Sequence, residues 1–95
     1  MRLSKKQHSA IKSIFLEVFK SGEIYLFGSR VDDTQKGGDI DLYIVTTCKE
    51  NLAQKKIEFL VKLKNDIGEQ KIDVVFNRDQ TRPIEQEAIK NGILL

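Results

Sequence analysis

The sequence predicts a small α/β (α+β) domain: a mixed β-sheet of about three strands with helices packed on one face. Three observations predict it. Apolar residues recur at helical spacing through residues 11–19 and again through the fifties and sixties. Three short segments, 23–27, 39–46 and 71–76, are rich in β-formers or alternate in polarity. About ten polar residues separate the first two, which suits a hairpin. A long helical stretch separates the last two, which suits a crossover between parallel strands.

Each element has its own signal. Ser4 is placed to cap a helix in which Ile11, Ile14, Phe15, Val18 and Phe19 form one stripe, with Lys12, Glu17 and Lys20 outside it. Ser21-Gly22 stops that helix. Ile24, Tyr25, Leu26 and Phe27 make a first strand over 23–27, ending at Gly28. Residues 29–38 read as loop with a short helical piece. Over 39–46, Ile40, Leu42 and Ile44 point one way and Asp39, Asp41, Tyr43 and Val45 the other. A helix is expected from Thr47 to Ile67. Its main apolar face is Ala53, Ile57, Leu60 and Ile67 with Val61 at the edge, and Leu52, Phe59 and Leu63 form a flanking stripe. Gly68 ends it. Over 71–76, Ile72, Val74 and Phe76 face one side and Asp73 and Val75 the other. Residues 77–82 turn, Pro83 opens a short helix through Ile84 and Ile89, and Asn91-Gly92 closes it. The tail Ile93-Leu94-Leu95 has no assigned place.

Ninety-five residues suit a single domain over 1–95. Sixteen Lys and Arg against 14 Asp and Glu, spread along the chain, are not the footprint of a dedicated nucleic-acid binder. No apolar run is long enough for a membrane span, and Met1 to Lys6 lacks the apolar stretch of a signal peptide, so a cytoplasmic protein is expected. The lone Cys48 excludes an internal disulfide. With one His and one Cys there is no four-ligand structural zinc site. A metal here must sit on oxygen ligands.

Asp39 and Asp41 lie two apart on a strand and therefore share a face. Carboxylates so close repel, and a cation relieves the repulsion; an all-oxygen site suits magnesium or manganese. Asp73 lies on the corresponding face of its own strand, so the three converge if the strands are neighbours. Polar residues on one face of a strand are ordinary, but acids are depleted in strands, and here they occupy matching places in two. Gly28-Ser29 follows a strand; there glycine permits close backbone approach, and amides with the Ser29 hydroxyl can hold phosphate oxygens. Ser29 has no base near it in sequence, since His8 belongs to the first helix. Arg30 can pair with a phosphate or with Asp32 or Asp33, and both readings stay open. Lys36 and Arg78 are second-line phosphate contacts or solvated surface. Tyr25 and Tyr43 read as sheet packing, His8 as helix surface, Cys48 as a small apolar residue.

Leu26-Phe27-Gly28-Ser29-Arg30, nine residues after Ser29, then Asp39-Ile40-Asp41-Leu42, with a later Lys71-Ile72-Asp73-Val74-Val75-Phe76, resembles the nucleotidyltransferase superfamily that includes DNA polymerase beta. The short length resembles its minimal branch, the antitoxins paired with helical HEPN toxins. The spacing is at the short end for the family, and Gly38 stands where many relatives have Ser; neither removes a proposed ligand.

The resemblance implies a nucleotidyltransferase fold and a reaction. Gly28 and Ser29 would bind the triphosphate of ATP, with Arg30 beside them as a candidate for the same role. Asp39 and Asp41 would hold two magnesium ions, or manganese. Asp73 would share one ion and help activate the attacking hydroxyl. AMP would pass to a hydroxyl, a tyrosine of a HEPN-type toxin, silencing it. So short a chain has little room for an acceptor pocket, so a second chain is expected to supply the acceptor or a missing wall. The flanking stripe and the apolar tail are candidate contacts, or else they complete the core. Two alternatives stand beside this one: a catalytically silent module that neutralises its partner by covering it, and a transferase acting on a small molecule or RNA end.

Overall fold

The structure is a computed structural model, and residues 3–31, 39–47 and 49–95 are described. The elements run α1 (Lys5–Phe19), β1 (Glu23–Phe27), a 3-10 turn (Gly28–Val31), β2 (Ile40–Val45), α2 (Leu52–Ile67), β3 (Ile72–Phe76), α3 (Pro83–Asn91) and β4 (Ile93–Leu94). The sheet order is β3-β2-β1-β4. β1 and β2 form the expected antiparallel hairpin, and β2 and β3 lie parallel across the α2 crossover.

Local chemistry sets the ends. Ser4 caps α1 in a reciprocal box: the Gln7 N–H donates to Ser4 Oγ and the Ser4 N–H to Gln7 Oε1, both at 3.0 Å. Lys20, at φ 72°, ends the helix. α2 begins at Leu52 rather than Thr47. Asn51 is left-handed at φ 54°, which no helix interior accepts, and Asn77 holds the preceding turn. Asn77 Oδ1 accepts from the Thr46 N–H at 2.9 Å and from Lys49 Nζ at 2.8 Å.

One face of the sheet carries the main core. Ile24, Leu26, Ile40, Leu42, Ile44 and Ile72 pack against Ile11, Phe15, Phe19, Phe59 and Leu63 of α1 and α2. The two stripes of α2 exchange the ranks expected of them. Phe59 and Leu63 are fully buried, while Ile57 and Val61 are 63% and 54% exposed. Phe59 sets the helix's rotation by packing edge-on to Phe19, ring centres 6.0 Å apart. The Leu52, Phe59 and Leu63 stripe thus completes the core and is not a contact surface. The tail also finds a place. Ile93–Leu94 pairs antiparallel with β1, and the Leu95 N–H donates to Ile24 O at 2.9 Å, so the sheet has four strands rather than three.

α1 and α2 cover one face, as expected, but α3 lies on the other. Ala88 packs on Phe27 and Tyr43, with Tyr25, Val45 and Val75 beside them. The strand period of two explains this, since these residues alternate with the main core set. The carboxylate face is therefore part-covered by α3. Among the described residues no helix is long and apolar enough to cross a membrane.

Candidate active site

The parallel register of β2 and β3 sets Asp41 directly beside Asp73. Both leave the sheet on the face opposite the main core, so the two strands bring these carboxylates together as their spacing predicted. Asp39 stands just before β2, where it pairs with Lys71 at 3.5 Å; both side chains are substantially exposed. Asp41 bears the strain of this grouping. Its carboxyl is raised above the usual carboxylate range by burial first, then by the charges of Asp73 and Asp39, with a hydrogen bond shared with Asp73; Lys71 opposes the shift.

Gly28 adjoins the same carboxylate. It has φ 75°, and a Cβ built there would run into the Asp41 side chain. Only glycine suits both the left-handed backbone and the close approach. The site is thus formed by the end of β1, the start of β2 and the middle of β3. A cleft of about 560 Å³ opens on it, with Asp41 and Asp73 in its lining beside Phe27, Val75 and Ile84. The side chains of Ser29 and Arg30, and all of Asp32, Asp33, Lys36 and Cys48, lie outside the described residues.

Among the described residues no group of three or more His, Cys, Asp or Glu side chains already stands as a metal cage. The donor chemistry nonetheless fits a hard cation. Asp41 and Asp73 repel at close range, Asp39 is two residues away, and every donor is a carboxylate oxygen.

A second carboxylate on this face escaped the sequence reading. Glu85 of α3 is fully buried. Its Oε1 accepts from the Tyr43 hydroxyl at 2.8 Å and the Arg78 N–H at 3.0 Å. Its Oε2 accepts from the Asp79 N–H and from Arg82 Nε, both at 2.7 Å. Burial alone would push Glu85 up, but these donors together hold it down at about 2. Burial, and then the bond to Glu85, push Tyr43 up to about 12. Tyr43 packs in the sheet as expected, but it also anchors α3 two residues from Asp41. The one sequence signal for this network was the Arg82–Glu85 pair at i,i+3 on a helix start.

Two comparisons bear on this geometry. The family model described as "Polymerase beta, Nucleotidyltransferase" matches residues 9–95. No curated protein matches the chain.

Proposed function

The chain belongs to the polymerase beta nucleotidyltransferase family, and from that premise we propose that it moves AMP from ATP to a hydroxyl acceptor with the help of magnesium. Family membership gives a nucleotidyltransferase-type function; the metal, the nucleotide and the acceptor are our reading. The observation that carries it is Asp41 set beside Asp73 across the parallel strands, with Gly28 leaving room for the Asp41 carboxylate.

In this reading Asp39 and Asp41 would hold two divalent ions, with Asp73 a further ligand. Bound there, the ions would offset the charge of the triphosphate and stabilise both entering and leaving oxygens. Gly28, with Ser29 and Arg30 in the turn that follows, would take the triphosphate oxygens. Asp73 takes the proton of the acceptor hydroxyl. A new oxygen–phosphorus bond forms at the α-phosphorus, the bond to the bridging oxygen breaks, and pyrophosphate leaves. Positioning and electrostatics are most of the catalysis.

The acceptor we propose is a tyrosine of a helical HEPN-type toxin, with residues 1–95 acting as a single-domain cytoplasmic antitoxin. The likeness of Leu26-Phe27-Gly28-Ser29-Arg30 to the minimal branch of that superfamily supports this. The test combines the chain with the protein encoded by the neighbouring gene, ATP and magnesium, and weighs each intact. The partner is expected to gain one or more AMP units, and Asp41→Asn to lower the rate by at least about a thousandfold, roughly 4 kcal/mol of barrier. A stable, neutralising complex without any mass gain would replace this reading with the silent binding module.

A further inference from the structure

We infer that the outer edge of β3 docks the acceptor segment as an extended strand with acidic residues on either side of its hydroxyl. This rests on the reading of the chain as a nucleotidyltransferase with a protein acceptor.

β3 is an end strand of the sheet. Its ladder to β2 is bounded by the Ile40 N–H donating to Lys71 O at 3.1 Å and the Asn77 N–H donating to Ile44 O at 3.0 Å. In a parallel ladder alternate residues bond the same neighbour. Asp73 and Val75 therefore turn their main-chain groups toward β2, and Ile72 and Val74 turn theirs outward. At Val74 these outward groups meet no partner among the described residues. Exposed edges are commonly blunted by charge, proline or a bulge. β3 has no proline, and its single charge is Asp73, already part of the candidate site.

The edge also lies in a channel. Two clefts, of about 560 and 620 Å³, both include Val74 and Val75 in their linings. The first contains Asp41 and Asp73 and is walled by Lys56 and Leu60 from α2 and Ile84 from α3. The second ends at Lys49, Arg78 and Arg82. An extended chain satisfies successive outward main-chain groups along such an edge. Side chains of an added strand alternate between faces, so a hydroxyl residue opposite Asp73 would share the face of the carboxylates. The side chains of Lys56 and Arg78 have no acidic partner among the described residues, and they select an acidic occupant. A second copy fits less well, because pairing β3 with itself would bring a second Asp73 into a site already crowded with carboxylates.

The test titrates the chain, labelled with nitrogen-15, with the capped peptide acetyl-Val-Glu-Tyr-Glu-Val-amide, whose glutamates take the side of α2 and Lys56 when the tyrosine takes that of the carboxylates, and with two N-methylated forms. One is methylated on both glutamates, the other on the tyrosine and the second valine. A strand pairs through one set of alternate amides only. One methylated form is thus expected to lose affinity at least about tenfold and the other to change less than about twofold, with shifts centred on the Ile72 and Val74 amides. Equal effects of both forms, no shifts at these amides, or a concentration-dependent self-association through them without peptide would each overturn the inference. A parallel titration with MgATP reads the underlying function separately at Gly28 and Asp41. MgATP shifts with failed peptide arms remove the docking edge alone; successful peptide arms with no MgATP response remove the transferase reading and keep the edge.

Discussion

Asp41 and Glu85 are carboxylates on the same face of one sheet, joined through Tyr43, yet their surroundings are opposite. Glu85 is surrounded by donors: two backbone N–H groups, a guanidinium and a phenol. Asp41 is surrounded by acids, and its ionised form is disfavoured. The first arrangement is complete without any added molecule and holds α3 to the sheet. The second improves on adding positive charge. A carboxylate's neighbours thus separate one that is already satisfied from one poised to take a cation, the role we propose for Asp41.

The comparison breaks most visibly at Glu85. Glu85→Ala leaves a buried phenol, two N–H groups and Arg82 unpaired, and is expected to cost about 3–5 kcal/mol, read by urea unfolding. The same carboxylate sets an acid limit. Its folded value of about 2 lies below the ordinary 4.5, so its contribution is present above about pH 4.5 and is lost as pH falls toward 2. Unfolding midpoints of the wild type should fall through that window, and those of Glu85→Gln should fall less.

Gly28→Ala sharpens the other half. The left-handed backbone and the encounter with Asp41 should together cost about 2 kcal/mol. Pairing it with Asp41→Ala should recover the part due to the encounter and none of the backbone part, a coupling a double-mutant cycle measures. The smallest effect is on stability at Asp41 itself. Without metal, Asp41→Asn relieves repulsion and should raise Tm by about 2–4 °C, equivalent to roughly 0.5 kcal/mol after solvent screening. A lower Tm would show that Lys71, not the acids, dominates its surroundings.

The carboxylates were legible because a strand's period of two fixes each face without knowledge of its partners. Asp41 and Asp73 needed only neighbouring strands to meet, and a helical crossover made that the simplest arrangement. The face of α2 was less legible, since Leu52–Phe59–Leu63 and Ala53–Ile57–Leu60–Ile67 are two plausible stripes on one helix. The choice was made by aromatic contacts with Phe19, which periodicity does not contain. β4 is two residues long and exists only through its pairing with β1. Glu85 was hidden for a similar reason. Its phenol partner lies 42 residues away, and its backbone donors belong to a turn.

The β1–β4 pairing also bears on the order in which the sheet assembles. The β1–β2 hairpin and the β2–α2–β3 crossover close over modest loops, whereas the bond from Leu95 to Ile24 closes about three quarters of the chain. Long loops delay closure, and a two-residue strand contributes few bonds to resist opening. By loop length and strand length, β4 is expected to join the sheet last and to open before the carboxylate-bearing centre, which amide exchange at Leu95 against Leu42 reads.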